Sequence, residues 1–146
     1  MTSNNNINRN TLISMLQYMR PAYSMAEEMF CKEYLEPVFG KPDVDNNYIC
    51  VVGNKPKIAF TAHTDTVHKS GGIQTLKIED NFVTSVGSNC LGADCTTGLW
   101  LMLGMIEAGV EGVYVAHAAE EIGGIGSTAL VARNPDWLSH IQACIS

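Results

Sequence analysis

GVYVAHAAEEIGGIGS, Gly112 to Ser127, is the stretch from which the rest of the sequence can be read. Its first half is short, apolar and rich in β-branched and aromatic residues, the composition of a buried strand. Its second half is studded with glycine and, from Ile125 to Arg133, reads as a helix. Between the two stand Glu120 and Glu121. Adjacent carboxylates repel each other and cannot both be buried cheaply unless a cation or a proton relieves the charge. A buried strand that runs through a polar connection into a helix is the unit of an α/β sheet, where ligands bind beyond the carboxyl ends of strands.

Working outward, the same alternation continues. Upstream, Leu99, Met102, Leu103 and Ile106 recur at helical spacing, which predicts a helix over Cys95 to Ala108 with Leu99, Trp100, Met102 and Leu103 in the core. The runs YICVV and KIAFTA predict strands, and IQTLKI with FVTSV predicts a hairpin around Glu79-Asp80-Asn81. Downstream, HIQACIS reads as a last strand. The N-terminal part is different. Asn10 and Ser24 have the chemistry of N-caps, with Ser24 and Glu27 at capping-box spacing, and predict helices over Thr11 to Arg20 and Ser24 to Phe39, separated by Pro21. The expected architecture is a mixed, mainly parallel α/β sheet with helices on both faces. Residues 1–44 form a helical segment packing on it and residues 45–146 the body, without internal repeats.

Composition narrows the function. The chain has 146 residues, 46% of them hydrophobic, and a mean hydropathy of +0.04, values of a globular protein able to bury a core. A net charge of −6 and a pI near 5.0 lack the basic footprint of nucleic-acid binding. The five cysteines are odd in number and contain no CxxC pair, so they are expected as core thiols in a reducing compartment rather than as a disulfide framework or a structural zinc site. The N-terminus is polar, and the most apolar run is broken by Asp94 and by glycines, which argues against secretion and membrane insertion and for a cytoplasmic protein.

The polar residues fall at strand ends. KIAFTA runs directly into His63-Thr64-Asp65-Thr66, Gly92-Ala93-Asp94 opens the Trp100 helix, and the glutamate pair follows the Gly112 strand. Right-handed crossovers would bring these segments to one sheet edge. A histidine with carboxylates and no required thiolate is the outline of a cation site, suited to Zn²⁺, Mn²⁺ or Co²⁺. A lone histidine on a strand is ordinarily a satisfied core residue, and paired glutamates ordinarily a solvated loop. Three such motifs together favour the cation site. The glycines of GGIGS have neither GxGxxG nor GK[ST] spacing and follow two carboxylates, so close backbone approach explains them better than a phosphate cradle. His68 and His140 are expected at the surface and His117 on the flank of its strand. Cys95, beside metal carboxylates, has little to lower its pKa and is not read as a nucleophile.

FTAHTDTV, SNCLGADCTTG and AAEEIGGIGS resemble, in order and spacing, the co-catalytic zinc exopeptidases, metallopeptidase families M20, M28 and M42, over roughly residues 45 to 146. The resemblance implies a hydrolase of the aminopeptidase type with two divalent metal ions, Zn²⁺ or alternatively Mn²⁺ or Co²⁺. It implies that His63 ligates one metal, that Asp65 orients His63, that Asp94 bridges both metals, that Glu120 is the general base and that Glu121 ligates the second metal. The substrate it implies is a peptide or an N-acyl amino acid. A cis peptide bond after Asp94 is also implied.

The sequence departs from that pattern in two ways. Cys95 stands where the family commonly has a second acidic or amide residue. The further acidic ligand expected about one strand after the glutamate pair, and a final histidine, have no counterpart before Ser146. Catalytic zinc normally keeps three protein ligands. The expectation is therefore the N-terminal portion of a longer enzyme, a split-gene product or a degenerate copy, inactive alone, self-associating or needing a complementing chain. A non-catalytic binding domain that retains the fold and an amino-acid deacylase are the alternative readings.

Overall fold

The computed structural model describes residues 7–136 and 138–146, so the first six residues of the expected N-terminal segment lie outside it. A four-stranded sheet in the order β2-β7-β3-β8 forms the body, from β2 (Tyr48–Val52), β3 (Ile58–His63), β7 (Gly112–His117) and β8 (Ala143–Ile145). β2 pairs antiparallel with β7, whereas β7 with β3 and β3 with β8 are parallel, so the sheet is mixed and mainly parallel as expected. The register sets His63 directly beside His117. The hairpin is β5 (Thr75–Glu79) with β6 (Phe82–Val86), standing apart from the main sheet.

Two helices link the parallel strands. α4 (Ala93–Glu107) carries the chain from β3 to its neighbour β7, and α5 (Ile125–Arg133) carries it back past β3 to β8. Because the two connections run in opposite directions along the sheet, crossovers of one hand put the helices on opposite faces. The packing agrees. Leu99, Met102 and Leu103 of α4 meet Ala62, Tyr114 and Ala116 on one face, together with Met15, Phe30, Leu35 and Phe39 of the N-terminal segment. Leu130 of α5 meets Ala59, Val113 and Val115 on the other. Each large side chain buried in this way contributes on the order of 1.5–3 kcal/mol. Between the oppositely directed connections, at the carboxyl ends of β3 and β7, the sheet opens the crevice in which such folds bind ligands.

The N-terminal segment departs from the sequence expectation. α1 is Arg9–Leu16 rather than Thr11 to Arg20, capped by Asn8 instead of Asn10, since the Asn8 side chain accepts from the N–H groups of Asn10 and Thr11. It stops early because Gln74 takes over its end: the Gln74 side chain donates to Leu16 O at 2.7 Å and the Gln74 N–H to Gln17 O at 2.8 Å. Tyr18–Met19 then forms β1, a short antiparallel pair with β4 (Gly72–Ile73).

The second helix is capped by Ser24 as expected, but the Glu27 side chain accepts from Tyr23 N–H rather than closing the box on Ser24. It is also not one α-helix. α2 (Met25–Phe30) passes through a π-helical stretch, Cys31–Leu35, into α3 (Glu36–Phe39). The wider turn ends at Leu35, and Pro37 sits in the first turn of α3, where a missing N–H is tolerated.

Three smaller expectations are corrected. His68 is buried, not at the surface: it receives the Thr66 hydroxyl on Nδ1 at 2.7 Å and donates from Nε2 to Cys90 O at 3.1 Å. Gly92 makes room for it, since a Cβ there would lie 2.7 Å from the imidazole. Of the cysteines only Cys31 is fully buried, while Cys50, Cys90 and Cys95 are half-buried and Cys144, on edge strand β8, is exposed. Trp100 is half-buried at the rim of the core, its indole N–H donating to Asn8 O. His140 is exposed as expected. Among the described residues no helix is long and apolar enough to cross a membrane.

Candidate metal centre

Three connections deliver the polar residues. β3 ends at His63, and the loop after it is pinned by Thr64 N–H to His117 O at 2.9 Å and Thr66 N–H to Arg20 O at 2.8 Å. β7 ends at His117, after which Ala119, buried at φ 57°, turns the chain. A left-handed alanine costs roughly 1–2 kcal/mol. It is held there because Ala119 O accepts the Ile125 N–H and the next two N–H groups find the Asp65 carboxylate. At the start of α4, Asp94 and Cys95 lie off helical geometry, and the peptide bond between them is cis.

Asp65 is the hinge of the site. Its side chain is wholly buried, and its oxygens accept the N–H of Glu120 and of Glu121, each at 3.0 Å. The same residue fixes the imidazole: His63 Nδ1 donates to Asp65 O at 2.9 Å, with a carboxylate oxygen 3.4 Å away. That turns Nε2 toward the carboxylates, hydrogen-bonded to an Asp94 oxygen at 3.3 Å and 3.9 Å from a Glu120 oxygen. Asp94 projects, its side chain 89% exposed, while that of Glu120 is 47% exposed.

The electrostatics follow from this geometry. Burial works against charge on His63, but the Asp65 hydrogen bonds and attraction, with Asp94 beside Nε2, outweigh it and push the imidazole pKa up to about 9. Burial also disfavours the Asp65 carboxylate, yet His63 and the two backbone N–H groups hold it below its ordinary range. Burial raises Glu121, which His63 opposes and the surrounding carboxylates reinforce.

Ligand atoms of His63, Asp94 and Cys95 lie within 4.8 Å of one another, and so do those of His63, Glu120 and Glu121. The three residues expected to hold metal therefore meet around His63, with Asp94 and Glu121 in different groups. Imidazole Nε2 with convergent carboxylates is a donor set that fits Zn²⁺, Mn²⁺ or Co²⁺, and the crowding of Asp65, Asp94, Glu120 and Glu121 about one imidazole calls for added positive charge.

Sequence reasoning set Cys95 aside, but the structure brings its sulfur into the first group, leaning on the His63 backbone N–H and against Gly98. It also missed Asn47. This buried side chain accepts from Ala118 N–H and donates to Gly126 O, fastening the end of β7 to the start of α5. No motif signals such a residue. His117 is half-buried, as expected for a strand flank, and its Nδ1 has no hydrogen-bond partner among the described residues.

No family model matches the chain, and no curated protein matches it by sequence. Solved structures do. The chain is similar to a tripeptidase from Staphylococcus aureus, with a TM-score of 0.67 and 26% identity over 85% of this chain and 39% of that one. It is similar to the aminopeptidase PepT from Bacillus cereus, with a TM-score of 0.58 and 23% identity over 82% of this chain and 38% of that one. An aminoacylhistidine dipeptidase from Vibrio alginolyticus gives 0.56 and 16% identity over 82% and 29% of the two chains. This chain thus spans about two fifths of the tripeptidase's length or less in each case. Its α/β fold is that of peptidases, in agreement with the exopeptidase resemblance of the three motifs.

Proposed function

We propose that this chain carries the metal-binding half-site of a metal-dependent exopeptidase acting on the N-terminal residue of a peptide, with an N-acyl amino acid as the related alternative substrate. The observation that carries the reading is Asp65, whose backbone carbonyl accepts from His63 Nδ1 and so orients the imidazole, while its buried carboxylate grips the N–H groups of both Glu120 and Glu121. A loop pair with no task would not need a wholly buried aspartate behind it.

Two divalent cations, Zn²⁺ or alternatively Mn²⁺ or Co²⁺, would supply Lewis acidity and lower the pKa of an attacking water. His63 through Nε2, Asp94 and Glu121 would be the residues to hold them. Asp65 keeps the imidazole tautomer fixed by occupying Nδ1. Glu120, partly exposed and 3.9 Å from His63 Nε2, takes the proton of the attacking water and returns it to the amine nitrogen as the peptide C–N bond breaks.

The test is uptake and turnover. The purified chain, stripped and then titrated with Zn²⁺ or Co²⁺, is expected to bind the ion, and cleavage of short peptides is assayed alone and with a chain supplying a later acidic residue and a histidine. Absence of metal uptake would instead favour a non-catalytic binding domain on the same fold.

A further inference from the structure

The N-terminal segment contributes a residue to the site that none of the three motifs contains. Arg20 is 0% exposed, although it lies between β1 and α2, outside the sheet. Its guanidinium reaches three separate elements. Nε donates to Thr64 O at 2.8 Å, Nη2 to the Thr96 hydroxyl oxygen at 2.8 Å and Nη1 to Met15 O at 3.4 Å, while the group stacks 3.8 Å over the Phe30 ring. The backbone repeats the connection, since Arg20 N–H donates to the Thr66 hydroxyl and Arg20 O accepts the Thr66 N–H.

We propose that Arg20 is a positioning residue of the metal centre, its guanidinium fixing the loop that carries His63 and Asp65 against the start of α4 that carries Asp94. Thr64 sits between His63 and Asp65, and Thr96 lies two positions beyond Asp94. One planar, rigid fork therefore bonds to both metal-bearing segments from behind. Thr64 is gripped on its other side as well, its hydroxyl donating to the buried Glu27 carboxylate, and the Thr96 hydroxyl donates in turn to Gly92 O.

A purely packing role would be served better by an apolar side chain. Burying a guanidinium against neutral carbonyl and hydroxyl oxygens, with no direct carboxylate partner among the described residues, carries a desolvation cost that hydrophobic packing avoids. What the charged fork adds is fixed geometry. The glutamate turn is already tied to the His63 loop through Asp65 and the β3–β7 pairing, and the Arg20 fork adds a tie between that loop and the α4 segment that carries Asp94.

This inference rests on the metal-binding reading, and the experiment separates the two. Co²⁺ affinity is measured by calorimetry and by the cobalt absorption bands, well below the melting temperature, for the parent chain, Arg20→Lys, Thr96→Val, the double variant and Thr96→Ser. Arg20→Lys and Thr96→Val are each expected to weaken Co²⁺ binding about tenfold, the double variant no further than either, and Thr96→Ser to bind like the parent. As a control, Leu103→Ala, in the core part of α4, is expected to lower the melting temperature without changing affinity in the folded protein. Should Arg20→Lys fail to fold, the contrast between Thr96→Val and Thr96→Ser carries the test. Unchanged affinity in folded variants, or additive losses, would overturn the positioning role while leaving the metal reading intact. No Co²⁺ uptake by the parent would overturn both.

Discussion

His63 and Asp65 are two ends of one interaction, and the direction of their shifts sets a pH window. The imidazole is raised to about 9, so the stability it contributes to the metal-free protein is fully present below its unfolded value of about 6.5 and is lost as pH rises through about 9. The Asp65 carboxyl is depressed, so its share is present above about 3.9 and is lost as pH falls through the folded value. Melting temperatures of the metal-free chain should therefore decline between roughly pH 6.5 and 9 more steeply than those of His63→Gln. Parallel curves for the two proteins would show that the pairing contributes nothing. At the same scale, Glu120 is assigned proton transfer and Glu121 metal binding. Glu120→Gln should lower turnover of an active form by about 10²-fold to 10⁴-fold with metal content nearly unchanged. Joint loss of metal and activity would mean the roles are exchanged.

Between elements, the site depends on how closely α5 begins against β7. Gly126 allows this: a Cβ there would meet Asn47 Oδ1 at 2.4 Å and the Ala118 backbone at 2.6 and 2.8 Å. Backbone and a buried, doubly bonded amide cannot step aside. Gly126→Ala should thus destabilise the chain by roughly 1–3 kcal/mol and disturb the turn that presents Glu120 and Glu121, whereas Gly123→Ala, in open space but at φ 114°, would carry backbone strain alone. Urea unfolding of both variants checks this, and a Gly126→Ala protein of parental stability would refute the close approach. The sequence assigns the glycines of GGIGS to close backbone approach, which a metal site or substrate would have required. The approach at Gly126 is instead to the end of β7, which then holds the glutamate turn in place.

For the whole molecule, the proposed metal binding would be linked to folding. The candidate ligands converge in the folded chain but lie on segments far apart in sequence, so an ion held by them would bind the native state and stabilise it. At about a hundred times the dissociation constant this amounts to about 2.7 kcal/mol. For a domain of this size, that corresponds to a rise in melting temperature of roughly 5–10 °C. Thermal unfolding with Zn²⁺ or Co²⁺ against a chelator measures it. A melting temperature indifferent to metal would mean that the ligand groups are not held ready for an ion. The N-terminal segment belongs to this same cooperative unit, since Met15, Phe30, Leu35 and Phe39 share one core with the sheet and α4.

The sequence alone determined the alternation of strands and helices, because buried strands such as YICVV and VYVAHA and the periodic helix from Leu99 to Ile106 carry local signals in composition and spacing. It also determined the candidate ligands, since HTD and EE each stand at the end of such a strand and GAD at the start of the helix. What only the tertiary structure decided are the relations that no local pattern encodes. Tyr18–Met19 left the helical pattern because Gln74 and β4, distant in sequence, claimed its backbone. His68 went inside because Gly92 left space for it. Arg20, expected only as the last residue of the first helix, lies instead beyond β1 and hydrogen-bonds both the His63 loop and α4. Propensity and periodicity act over a few residues, whereas register, burial and the meeting of His63 with Asp94 and the glutamate pair arise from contacts across the sheet. Those exist only once the chain has folded.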